Sequence, residues 1–176
     1  DMHFYRAVPG LFDSAPDNVR GVLERYASPD GAALLVALAD IAAEWSFPSD
    51  QVRFGMAPTI PITSSDDFLV GCHRIAREYG LVFQTHLAES KTQVATANQR
   101  YGRSLTAHIC GLGIVDASFS GAHGVWLDRD DMGLLADRGA SIAHNPGSNL
   151  RLGSGIADAS TMVASGVTVG IGTDGG

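Results

Sequence analysis

The chain has 176 residues, 45% of them hydrophobic and 18% charged, a balance that supplies a sizeable buried core and excludes a disordered or repetitive protein. Its formal charge of -7 comes from scattered carboxylates, and the twelve Lys and Arg form no stripe that could follow phosphates, which argues against a nucleic-acid partner. The longest apolar stretch, residues 32–43, is interrupted by Asp40 and is too short to span a bilayer, so no membrane partner is expected.

Taken in chain order, apolar spacing predicts a helix over 30–45, ahead of Pro48, and then a strand over 52–58. The clearest helix opens at Ser64-Ser65, carries Asp66 and Asp67 where its dipole is positive, and closes at Gly80. Its apolar face is Phe68, Leu69, Cys72, Ile75 and Ala76. A strand over 81–85, a helix over 91–101 and a strand over 119–125 follow. Next come a helix over 128–137 ahead of Gly139, a strand over 140–143, a short helix over 156–164 and a last strand over 167–173. The two cysteines, Cys72 and Cys110, fall in helix-like segments, which suits a reducing compartment, the cytoplasm, better than a disulfide scaffold.

Strands alternating with helices, and apolar through most of their length, predict an α/β fold with a parallel sheet covered by helices, either a barrel or an open doubly wound sheet. The chemically capable residues favour the barrel, in which such groups gather at the C-terminal ends of several strands. The strand over 81–85 runs into His86 and Glu89, the next ends in His123, the next in His144 and the last in Asp174. Four consecutive strands thus deliver imidazole or carboxylate to one rim. Those are the ligands that a divalent metal such as zinc prefers, with one position left open for water in a catalytic site.

Thr85-His86-Leu87-Ala88-Glu89, Ala122-His123-Gly124, His144-Asn145-Pro146-Gly147-Ser148-Asn149 and Gly172-Thr173-Asp174-Gly175 are similar, in order and spacing, to the last four strands of the amidohydrolase superfamily. The branch that the chain resembles contains the guanine- and adenosine-type deaminases and the triazine hydrolases. The resemblance implies a partial (β/α)8 barrel of the TIM type, approximately strands three to eight. It also implies one divalent metal ion, zinc or else iron, because the strand over 52–58 has no lysine to bridge two metals. In that family's pattern His86 and Asp174 are metal ligands, and His123 contacts the metal or holds the attacking water. Asp174 also takes a proton from that water, and Glu89 delivers it to the leaving amine. Gln84, His144, Asn145, Ser148, Asn149 and Arg151 are the candidates for contact with a small heterocyclic substrate, as is the loop 59–62. A homo-oligomer is the family's habit.

The family also places His-x-His at the end of its first strand, and this sequence contains none. His3, only about 80 residues before His86, falls where the third strand would lie and cannot replace it. The chain opens without an initiator Met or a signal-type run and stops at Gly175-Gly176 after an apolar run. The expectation is that residues 1–176 are the C-terminal part of one barrel domain, with the first strands and a small β-domain missing, and that the fragment alone is inactive.

Plainer readings stand beside these. His3, His73 and His108 are read as structural, since a lone histidine is more often a satisfied core or surface residue than a ligand. Glu89 could be a helix N-terminal charge, although its pairing with His86 favours chemistry. His144-Asn145-Pro146-Gly147 reads equally well as a turn. Gly170-Ile171-Gly172-Thr173-Asp174-Gly175 formally matches a dinucleotide-binding loop, but an acidic residue inside it opposes a pyrophosphate. The leading function is deamination of a purine-, pyrimidine-, pterin- or triazine-like ring. The alternatives are a triazine-type chlorohydrolase or alkylaminohydrolase, and a non-catalytic binding module from a degenerate barrel.

Overall fold

The computed structural model describes residues 31–48 and 50–175. Five strands, β1 (Gly55–Met56), β2 (Val82–Leu87), β3 (Phe119–His123), β4 (Ser141–His144) and β5 (Thr168–Ile171), form one sheet in sequence order, every neighbouring pair parallel. Each step between neighbours passes through helix, which is the connection that parallel pairing requires. The helices are α1 (Gly31–Glu44), α2 (Asp66–Tyr79), α3 (Lys91–Tyr101), α4 (Leu105–Gly111), α5 (Arg129–Asp137), α6 (Pro146–Arg151) and α7 (Ala159–Ala164). This sheet is the run of consecutive strands expected of a partial (β/α)8 barrel. The stretch around His3, where an earlier strand was expected, lies outside the described residues.

Local sequence chemistry sets the helix ends. Ser65 caps α2 by accepting from the Phe68 N–H, Asp66 and Asp67 occupy the first turn, and Gly80 ends the helix in the left-handed region at φ 65°. Ser90, Ser104, Asp128 and Asp158 cap α3, α4, α5 and α7 in the same way, each taking an N–H from three residues ahead.

Alternation along the strands divides the sheet into two faces. Phe83, Thr85 and Leu87 of β2, Phe119 and Gly121 of β3 and Ile142 of β4 are buried, and the apolar ones pack with Leu69, Cys72, Ile75, Ile109, Leu135 and Met162 of the helices. The opposite face carries Gln84 beside Ser120 beside Ser141, and one step further along it His86 beside Ala122 beside Ala143. His86 therefore stands on the barrel-interior face, toward its C-terminal rim. Among the described residues no helix is long and apolar enough to cross a membrane.

Several boundaries differ from expectation. The strand over 52–58 pairs only at Gly55 and Met56. The strand at 81–85 runs on to Leu87, so His86 belongs to β2 itself. The strand at 119–125 stops at His123, whose φ of 80° leaves extended backbone, and Gly124 at φ 64° completes the bend. The segment after His144 is not a plain turn. Pro146 occupies the first position of α6, where its missing N–H costs nothing.

Candidate active site

The C-terminal ends of the strands are knitted together by backbone hydrogen bonds. The N–H of His86 donates to Thr59 O, Gly124 to Leu87 O, Trp126 to Ala88 O and Gly172 to His144 O, at 2.8–3.1 Å. Inside this rim is a cleft of about 360 Å³ lined by residues that include Thr59, Gln84, His86, His123, Asn145 and Asp174. Among the described residues three that are not glycine have positive φ, Ala88 at 49°, His123 at 80° and Asp174 at 55°. All three lie at this cleft or one residue from Glu89. Such conformations cost about 1–3 kcal/mol each and gather where a side chain has to be aimed.

His86 projects from the interior face of β2, and its Nδ1 donates to the carbonyl of Thr59. A carbonyl only accepts, so Nδ1 carries the proton, and in the neutral ring Nε2 is the nitrogen with the lone pair. By alternation His123 belongs to the helix-facing side with Phe119 and Gly121, yet its ring lies against His86, centroids 5.2 Å apart and 22° from parallel. The bend at His123 accompanies this change of side. His123 is 1% exposed, and its Nδ1 lies 2.8 Å from Asn149 Oδ1. Its Nε2 is 3.9 Å from Glu89 Oε2 and 4.0 Å from Asp174 Oδ2.

Asp174 accepts a 2.7 Å hydrogen bond from the Ser148 hydroxyl. That bond, with the N–H of Gly175 and the nearby rings of His123 and His86, outweighs desolvation and holds its carboxyl below the usual carboxylate range. The backbone N–H of Glu89 donates to Gln93 Oε1 at 3.0 Å, and the Gln93 N–H donates to Ser90 Oγ at 3.2 Å. The start of α3 thereby grips the turn that carries Glu89.

Four expected residues, Glu89, His86, His123 and Asp174, are thus brought together. Of the expected substrate contacts, Gln84 and Asn145 line the cleft. Ser148 is committed to Asp174, and Asn149, fully buried, lies against His123. His144 is 7% exposed with Nδ1 unpartnered among the described residues, and neither it nor Arg151 lines the cleft. His73 and His108 are structural as expected: His73 bonds Asp116, while His108 bonds Asp66 and stacks on Tyr101. Sequence reasoning missed Gln93. The Ser90-x-x-Gln93 spacing is a helix-capping signature and could have found it.

A divalent metal fits this donor set in part. His86 offers an imidazole nitrogen freed by a hydrogen bond on the other ring nitrogen, the usual arrangement around metal-bound histidine, and a carboxylate kept ionised stands beside the second ring. Among the described residues no three His, Cys, Asp or Glu side chains are close enough to hold an ion by themselves. What the described residues offer is a partial donor set, the rings of His86 and His123 with the carboxylate of Asp174 beside them.

The amidohydrolase family pattern matches residues 2–176. The chain belongs to the amidohydrolase family. It is 38% identical over 127 residues to the 5-methylthioadenosine/S-adenosylhomocysteine deaminase of Thermococcus onnurineus, covering 72% of this chain and 30% of that protein. It is 36% identical over 124 residues to the 5'-deoxyadenosine deaminase of Methanopyrus kandleri, covering 70% and 29%. The crystal structure of an adenosine deaminase from Xanthomonas campestris with bound zinc superposes with a TM-score of 0.74 and 29% identity, over 80% of this chain and 32% of that one. The atrazine chlorohydrolase of Arthrobacter aurescens superposes at 0.76 with 23% identity, over 82% and 32%, a likeness of fold. The chain spans about a third of the length of these relatives.

Proposed function

We propose that this chain forms part of a hydrolytic deaminase acting on an adenosine-type ring. Water adds at the ring carbon that bears the exocyclic amine, the C–N bond breaks, ammonia leaves and the carbon becomes a carbonyl. The observation that carries this reading is the convergence of Glu89, His123 and Asp174 within 4.0 Å contacts beside the ring of His86. A bound divalent metal, zinc or iron, would acidify and position the attacking water. His86 Nε2 and Asp174 would hold that metal. Asp174, kept ionised by Ser148 and Gly175, accepts the proton that the water gives up. Glu89, whose Oε2 is 3.9 Å from His123 Nε2, passes a proton to the departing amine, which must leave as neutral ammonia. Gln84 and Asn145 face the ring of the substrate.

The likeness to deaminases of 5-methylthioadenosine, S-adenosylhomocysteine and 5'-deoxyadenosine supports an adenine nucleoside carrying a modified 5' position. The two buried free thiols agree with a cytoplasmic setting, and residues 1–176 are read as one portion of a single barrel domain in a homo-oligomeric enzyme. The test is product analysis on the intact, metal-loaded enzyme of which this chain forms part, with adenosine, those three nucleosides and chloro- and alkylamino-triazines. Ammonia from the nucleosides is expected. Chloride or alkylamine from the triazines, with the nucleosides untouched, would replace this reading with a triazine hydrolase. Tight metal binding without turnover of any compound would leave a binding module.

A further inference from the structure

The structure assigns a positioning role to Asn149, and the assignment deepens the reading above: Asn149 fixes His123 as the tautomer protonated on Nδ1, which makes Nε2 the working atom of that ring. The argument begins with how firmly Asn149 is held. It is 0% exposed, its N–H donates to Asn145 O at 3.0 Å, and its carbonyl accepts from Ser154 N at 2.8 Å. The side chain therefore projects from a backbone anchored at both ends, and it ends with Oδ1 2.8 Å from His123 Nδ1. A carboxamide oxygen has no hydrogen to give, so the shared proton belongs to His123. The remaining nitrogen, Nε2, is the one that faces Glu89 Oε2 and Asp174 Oδ2.

The same short helix does this twice. α6 follows β4 directly through Asn145 and Pro146, and in consecutive positions it presents Ser148 to Asp174 and Asn149 to His123. Two groups from different strands, β3 and the exit of β5, are thereby referenced to one six-residue element. Asn149 Nδ2, buried and without a partner among the described residues, is the cost of this orientation. Turning the carboxamide over would leave Oδ1 facing that unpartnered position and would protonate His123 on Nε2 instead. The two orientations therefore make opposite statements about the ring.

Long-range proton–nitrogen correlation spectra of the 15N-labelled intact protein, with and without zinc, read the tautomer directly. Nδ1 of His123 is expected to be the protonated nitrogen in both states. Asn149→Asp, which keeps an acceptor and removes the orphan donor, should keep a proton on Nδ1. Asn149→Leu, of similar size with no acceptor, should lose the Nδ1–H signature and lower kcat by about 10–100-fold with little change in KM. A wild-type His123 protonated on Nε2, or an Asn149→Leu protein that folds and keeps the Nδ1–H form, would overturn the assignment. The wild-type spectrum needs no variant to fold. An Nδ1–H tautomer in a protein that deaminates nothing supports the role of Asn149 and counts against the proposed reaction.

Discussion

Replacing Gly172 by alanine tests how tightly the rim is assembled. A Cβ at Gly172 would stand 2.4 Å from Asn145 Oδ1, whereas ordinary contact begins at 3.4 Å, so one partner has to move by about one ångström. Any yielding falls on the Asn145 side chain or on the last strand. Asn145 is 6% exposed and is followed by Pro146, and the Gly172 N–H is bonded to His144 O at 2.9 Å. Gly172 is not among the glycines with positive φ, so alanine meets no backbone penalty and the whole effect is steric. Overpacking of this kind costs about 1–3 kcal/mol. For a chain of this size that corresponds to a fall in Tm of about 3–10 °C. Asp174 lies two residues beyond Gly172, and Asn145 opens the helix that holds Ser148 and Asn149, so the displacement reaches the site from both sides. A misplacement of about 1 Å can cost on the order of 100-fold in rate. Thermal melting and ammonia release would be measured for Gly172→Ala, Asn145→Ala and the double variant. The double variant should recover most of the lost stability, a coupling of about 0.5–3 kcal/mol, because the collision needs both groups. If Gly172→Ala melts at the parent temperature and turns over at the parent rate, the close approach of the last strand to Asn145 is not what shapes the cleft.

Three further outcomes are expected. Gln93→Leu removes the acceptor for the Glu89 N–H and should lower kcat by about 10–100-fold, while Gln93→Glu, which keeps an acceptor, should retain most of it; steady-state kinetics reads both. Cys72 is buried and its thiol is pushed up to about 12, and Cys110 is also buried and raised, so neither should react with a thiol reagent at pH 8 until the protein is unfolded. Burial of Asp116 pushes its carboxyl up, but bonds from the Ser118 hydroxyl and N–H and from His73 outweigh that and leave it lowered from 3.8. A depressed carboxyl stabilises the fold above its unfolded value and loses that contribution as pH falls through its folded value. Asp116→Asn should therefore lower the Tm at neutral pH, with the gap to wild type narrowing as the pH is taken below 3.8, followed by calorimetry.

Much of the fold is legible in the sequence because the helix signals are local. Ser65, Asp66, Asp67 and Gly80 state both ends of α2, and the spacing of Phe68, Leu69, Cys72, Ile75 and Ala76 states its buried face. Strand ends are harder to read, because the polar residues that end an apolar run are the ones the barrel displays. Thr85, His86 and Leu87 continue the alternation of β2, and the polar imidazole conceals it. The rim residues are legible for the same reason: each stands at the end of an apolar run. What Ser148 and Asn149 do is not legible. Both read as pocket groups, and only three-dimensional packing turns them toward Asp174 and His123. The bend that brings His123 against His86 is equally hidden, since nothing in Ala122-His123-Gly124 dictates a φ of 80° on a histidine.

Turnover of 5'-deoxyadenosine by Glu89→Gln, compared with wild type at matched metal content, tests the account most directly. The glutamine keeps the size of the side chain and leaves the backbone bond to Gln93 in place, but it cannot move a proton. A fall in kcat of about 100-fold or more, with metal binding retained, is predicted. Ammonia release at the wild-type rate would contradict it, because the cleft between His86, His123 and Asp174 would then deaminate without the carboxyl group assigned to the leaving amine.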